Sequence, residues 1–308
     1  MNKFRNYLIA FSGMLTLALA QVPLAYAQKY SDWSAPVSLG PVVNSALNDQ
    51  QPAISKDGRS LYFASTRPGG LGGFDIHVSQ RASVDEPWGS PVNLGPTLNT
   101  ASNEGNPAFS RDGHLIFFQS NRPGGSGLID IWFSYRRHKH DDFGWEQPVN
   151  LGAGVNSAAN DNGPSYFEND EGGAPQLYFG SDRAGGLGAA DIYLSGQMAD
   201  GSFGPAVMVT ELSSSTTDNR PSIRHDGLEI FLQSDRPGTA GGQDLWVATR
   251  ESTLDVWSTP VNLGNTINTA FLEQNPYVSF DGRTLFFSSD RPGGSGGPDI
   301  YMTSRAKH

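Results

Sequence analysis

Five carboxylates recur in this sequence at one fixed position. Counted from the prolines of five aromatic-led segments, Pro36, Pro91, Pro148, Pro205 and Pro260, an acidic side chain falls 13 residues later every time: Asp49, Glu104, Asp161, Asp218 and Glu273. Carboxylates brought together can do acid–base work, one protonated and one ionised, as in hydrolysis of a glycosidic bond. They can also hold a cation or a cationic ligand, because unpaired neighbours raise one another's pKa. Five arginines recur in step with them, Arg67, Arg122, Arg183, Arg236 and Arg291, and a guanidinium matches a carboxylate in bidentate geometry. The acids therefore carry three readings. Pairing with the arginines or with backbone amides is favoured, and a bound cation is the second. A catalytic set drawn from Glu104, Asp161 and Glu273 is the third; the fivefold equivalence of the acids opposes it, since such catalysis needs carboxylates in unlike environments.

An aspartate also stands eight residues after each arginine, at Asp75, Asp130, Asp191, Asp244 and Asp299, across a glycine-rich segment. The stretch from Gly69 to Asp75 resembles the calcium-binding nonapeptide of RTX toxins, but its aspartate is displaced by one residue and its copies lie more than fifty residues apart. Tight turns at positive φ account for the glycines. His138, Lys139, His140, Asp141 and Asp142 form the densest polar cluster; it could hold zinc, although a solvated hairpin loop explains it more simply. There is no cysteine nucleophile, no Gly-x-Ser-x-Gly elbow and no phosphate-binding glycine loop. No resident metal or cofactor is expected; a cation at the carboxylate ring stays the second reading, behind pairing with the arginines. Positions that break the repeat point to binding: Arg220 beside its acid, Phe271 in the equivalent loop of the last copy, and Ser213 where the other copies have Asn44, Asn99, Asn156 and Asn268. Arg220 and Phe271, with the ring acids and arginines, make up the candidate ligand-binding set, a mixture suited to a peptide or a glycan.

The elements that must position these residues repeat every 56 residues or so. Each copy resolves into four short strands separated by turn residues, as in Pro107 to Ser110, Leu115 to Gln119, Asp130 to Ser134 and Trp145 to Leu151. Fixed-period repetition of a four-stranded unit predicts a β-propeller. The first copy is preceded by a lone fourth strand, Trp33 to Leu39, and the last ends on a third strand, Asp299 to Thr303, that lacks a partner. Pairing the two completes the fifth blade and removes an exposed edge. The expected fold is therefore all-β: a five-bladed β-propeller of four-stranded antiparallel blades, closed by the N-terminal strand plus three C-terminal strands. In it the acids sit just before the innermost strands, ring one channel mouth, and join adjacent blades through the arginines. The Asp-Gly turns emerge on the opposite face.

The segment Ser279-Phe280-Asp281-Gly282-Arg283-Thr284-Leu285-Phe286-Phe287, its counterpart from Ser55 to Phe63, and the following Ser289-Asp290-Arg291-Pro292-Gly293-Gly294 resemble the TolB-type, WD40-like β-propeller repeat. The resemblance covers nearly all of the chain after residue 27 and implies the propeller, without the amino-terminal domain of TolB. It implies no activity, because propellers host unrelated functions. Composition is consistent with such a fold. The 308 residues include 37 glycines and 20 prolines, yet 11% are aromatic, which excludes a disordered chain. A net charge of −10 argues against nucleic acid as partner. Lys3 and Arg5, the apolar run from Leu8 to Ala20 and Ala25-Tyr26-Ala27 read as a signal peptide over residues 1–27. Residues 28–308 are then one propeller domain, periplasmic or secreted, with no membrane span after cleavage. The leading functional expectation is a noncatalytic module that docks a cell-envelope protein segment or a glycan on the acidic channel face. The alternative is a polysaccharide-active enzyme of the glycoside hydrolase kind, for which five-bladed propellers are a known scaffold.

Overall fold

A computed structural model describes residues 30–169 and 172–308; the expected signal peptide lies outside the described residues. The chain enters on β1 (Val37–Ser38). Blade one is β2 (Asp49–Ile54), β3 (Ser60–Ser65), β4 (Asp75–Gln80) and β5 (Val92–Asn93); blade two is β6 (Glu104–Phe109), β7 (Leu115–Ser120), β8 (Asp130–Tyr135) and β9 (Val149–Asn150). Blade three is β10 (Asp161–Phe167), β11 (Gln176–Ser181), β12 (Asp191–Gly196) and β13 (Val207–Met208); blade four is β14 (Asp218–Ile223), β15 (Glu229–Ser234), β16 (Asp244–Thr249) and β17 (Val261–Asn262). Blade five holds β18 (Glu273–Val278), β19 (Thr284–Ser289) and β20 (Asp299–Ser304), and β1 pairs antiparallel with β20 through Val37 with Met302 and Ser38 with Tyr301. The architecture is the five-bladed propeller with the closure read from the sequence.

Two strand expectations are corrected. The fourth strands keep only two paired residues each, because proline just before them, as at Pro91 and Pro148, has no N–H to extend the ladder. The innermost strands begin at the acids themselves, then slip register before the second proline. At that bulge Gln51, Asn106, Gly163, Arg220 and Asn275 adopt positive φ of 48–62°.

The core lies between blades. Tyr62, Val78 and Leu94 of blade one pack with Ile116, Phe118, Trp132 and Trp145 of blade two, so each sheet covers its neighbour's apolar face. Blades are also stitched by polar devices. Asn99 donates to the Ile76 carbonyl (2.9 Å) and accepts from the Ile76 amide (2.8 Å), gripping the third strand of the preceding blade; Asn44, Asn156 and Asn268 do the same at Ile300, Ile131 and Leu245. Ser213 is shorter and keeps one such bond, to the Ile192 amide (3.1 Å). The second repeated aspartate folds the glycine-rich turn: Asp191 accepts the Leu187 and Gly188 amides at 2.8 and 3.2 Å. Positive φ explains Gly69 and its equivalents, but not Gly188, which lies against the next blade. A Cβ on Gly188 would overlap the Thr216 carbonyl oxygen, a backbone atom that cannot swing aside. Gly188→Ala should therefore destabilise by about 1–3 kcal/mol, measured as a shifted urea midpoint, whereas Gly196→Ala, with open space around it, should cost less.

Candidate functional site

Each ring acid is shut away from solvent, with 0% exposure at Asp49, Glu104, Asp161, Asp218 and Glu273. The local chain explains why. Asp161 Oδ2 accepts the Ser157 amide (2.5 Å) and hydroxyl (2.8 Å) from the turn before it, while Oδ1 accepts the Ser181 hydroxyl (2.6 Å) and Arg183 Nη2 (2.5 Å). The pair recurs as Asp49 with Arg67 at 2.6 Å, Glu104 with Arg122 at 3.3 Å, Glu273 with Arg291 at 2.8 Å, and Asp218 with Arg236. Every arginine also donates to the carbonyl of a residue on the incoming connection, Val43, Leu98, Val155, Leu212 or Ile267. Acid and arginine belong to the same blade. The expectation that they join adjacent blades is thus corrected: they pin each blade's entry loop, and the asparagines join the blades. Blade four is the weak copy, because the Ser214 hydroxyl turns to Thr216 (3.0 Å) and Asp218 Oδ2 has no partner.

The remaining sequence candidates separate. Arg220 sits two residues beyond its acid, in a channel waist of about 20 Å³ that Asn106, Gly163 and Asn275 also line. Phe271 is 41% exposed on the acid-bearing face, its amide donating to Thr269 Oγ1 (3.2 Å). The structure does not gather acids, arginines, Arg220 and Phe271 into one cleft. Among the described residues, no three His, Asp or Glu side chains are grouped to hold a metal.

Concavity lies on the opposite face. A groove of about 1080 Å³ opens between blades one and two, where Lys56, Arg59, Arg137, His138, Lys139 and His140 meet only two carboxylates, Asp57 and Asp112. All six of those basic side chains are exposed. Burial works to raise the Asp57 pKa, but the Ser55 hydroxyl, the Arg59 amide and His140 (3.4 Å) outweigh it, so the carboxyl is held below its ordinary range. A chain that is acidic in sum therefore presents a cationic trough here, and such a concave field draws anions.

The loop from Arg136 to Asp142 is not merely solvated. Asp142 is 3% exposed and accepts Arg136 Nη1 (2.8 Å), the Tyr62 hydroxyl (2.8 Å), Ser60 Oγ (2.6 Å) and Gln80 Nε2 (2.6 Å). Burial and then the Asp142 charge push the Tyr62 hydroxyl well above its usual pKa, so it remains a donor. Asp142 thus latches a blade-two loop onto blade one and turns the intervening basic residues outward. The signal for this was the arginine that follows the third strand in four of the five blades, blade three having Gln197 there: Arg81, Arg136, Arg250 and Arg305 stack within 4.4 Å of the centroids of Trp88, Trp145, Trp257 and Trp33.

The groove runs on into an aromatic hollow at the channel mouth, lined by Phe109, Tyr166, Tyr277 and Phe280 and sharing Lys56 and Arg111 with the groove. Phe280 stacks on His225 at 4.5 Å between ring centroids and receives Lys56 Nζ at 4.3 Å.

No protein-family model matches the chain, and no curated protein matches it in sequence. Solved structures do resemble it. An α-L-arabinofuranosidase from Podospora anserina, determined in complex with cellotriose, aligns at 13% identity and TM-score 0.56 over 91% of this chain and 98% of that one. An arabinanase from Bacillus subtilis aligns at 12% identity and TM-score 0.57 over 87% and 97%, and an endo-arabinase from Bacteroides thetaiotaomicron at 16% and 0.52 over 89% and 97%. At these identities the likeness establishes the propeller fold. It does not single out the TolB-type repeat.

Proposed function

We propose that this chain is an exported, polysaccharide-directed propeller that takes a negatively charged glycan in the groove between blades one and two. The observation that carries the reading is the continuity of the cationic groove with the aromatic hollow. Aromatic rings pack on the apolar faces of sugars, and lysine and arginine pair with acidic substituents. The likeness to glycan-active propellers favours a polysaccharide over a protein segment as the partner, and a cell-envelope glycan in the periplasm or outside the cell suits the expected signal peptide. The mature chain should bind uronate- or sulfate-bearing polymers on a glycan array and leave neutral arabinan and xylan unbound. Equal binding to neutral polymers, or binding to none, overturns the reading.

Hydrolysis is the second reading, and the glycosidase likeness favours it. Its residues would be Glu104, Asp161 and Glu273, which would have to leave their hydrogen bonds to reach a sugar. Release of reducing ends from a polymer, lost in Glu104→Gln, would establish it.

A further inference from the structure

Among the described residues, Arg220 has two buried guanidinium nitrogens that the fold leaves unpaired. It occupies the bulge of β14 at φ +54°, where the other blades carry Gln51, Asn106, Gly163 and Asn275. Arg220 is partly exposed as a residue, but its Nε and Nη1 at the channel waist are buried with no hydrogen-bond partner. The acid two residues before it is already engaged by Arg236. Burial, with no opposing charge nearby, lowers the Arg220 pKa to about 10. At neutral pH the group is still protonated, and leaving two of its buried donors unpaired is unfavourable.

Gly163 of the preceding blade packs directly against Arg220, so closely that a Cβ there would come within 2.9 Å of Arg220 Cα. Asn275 lines the same waist, and its Oδ1 is also buried without a partner; the amide orientation is an assignment, and a turned amide offers N–H instead. The free volume of about 20 Å³ accommodates one particle of about the size of water.

We propose that the channel waist is a binding site for one small monovalent anion of halide size, held by Arg220 Nε and Nη1 with the Asn275 amide. A sugar carboxylate is too large for that volume, so the site is separate from the glycan groove and stands or falls independently of it. The anion supplies the counter-charge that no protein group provides, and it couples blade four to blade five.

Melting of the mature chain in sodium chloride against sodium gluconate at matched ionic strength tests this. Chloride should raise Tm with its logarithm, by on the order of a few degrees at saturation, and gluconate should not. Arg220→Gln, which installs the residue type that blade one already accommodates at this bulge, should abolish the chloride-specific increment. Crystals of the unaltered chain soaked in bromide should give an anomalous peak beside Arg220 Nε. An increment that Arg220→Gln retains, no difference between the two salts, or no bromide peak at the waist overturns the proposal.

Discussion

Asp161→Asn should lower folding stability by about 3–5 kcal/mol, the usual cost of removing one partner from a buried ion pair. For a domain of this size that is a fall in Tm of roughly 10 °C, readable by calorimetry. The substitution keeps shape and removes charge. It leaves Arg183 facing a neutral amide, and whichever way the amide turns, its NH2 meets a donor, either the Ser157 amide and hydroxyl or Arg183 itself. Asp218→Asn is the internal control. Asp218 Oδ2 has no partner to lose, and an NH2 group placed there displaces no hydrogen bond, so its cost should be the smaller of the two. A ring acid kept for chemistry would behave differently, because functional groups are commonly held at a cost to stability and their replacement is neutral or stabilising. Unchanged or raised Tm in Asp161→Asn would therefore return Asp161 to the catalytic candidates.

The blades could be read in the sequence because every copy repeats the same packing problem. Proline, acid, Asp-Gly turn, arginine and second aspartate keep their spacing, and the unpaired strands at the two ends of the propeller specify closure. The asparagine grip was visible only as a residue type: Asn44, Asn99, Asn156 and Asn268 were in view as the background against which Ser213 stood out, but nothing local says that their amides reach across to the preceding blade. The acid–arginine pairs were legible as pairs, and their placement was not, since an in-blade and a between-blade bond give the same recurrence. The groove escaped for a related reason. It is built mostly from residues that do not repeat, Lys56 from one turn and Arg137 to His140 from a loop 80 residues away, with Arg59 recurring only as Arg283, and only the Asp142 latch brings them together. Lone charges on solvated turns look alike whether they face one another or not.

Removing that charge gives the largest expected functional effect. A Lys56→Gln, Arg137→Gln, Lys139→Gln triple variant should weaken binding of an acidic polysaccharide, with polygalacturonate as probe, by about tenfold to a hundredfold. This follows from up to about 1 kcal/mol for each exposed charge contact. Affinity of the unaltered chain should fall as salt is raised, because exposed charges are screened over about 8–10 Å at physiological ionic strength, and the triple variant should show a shallower dependence. All three side chains are exposed, and surface changes of this kind move stability by less than about 0.5 kcal/mol, so Tm should stay near that of the unaltered chain. Phe280→Ala separates the two halves of the site. It removes the ring shared by His225 and Lys56, so it should weaken binding at every salt concentration and leave the salt slope intact. Isothermal titration across a salt series reads all three proteins in one experiment. Retention of full affinity by the triple variant would move the glycan away from this groove, whereas loss of affinity with an unchanged salt slope would mean that shape, not charge, selects the ligand.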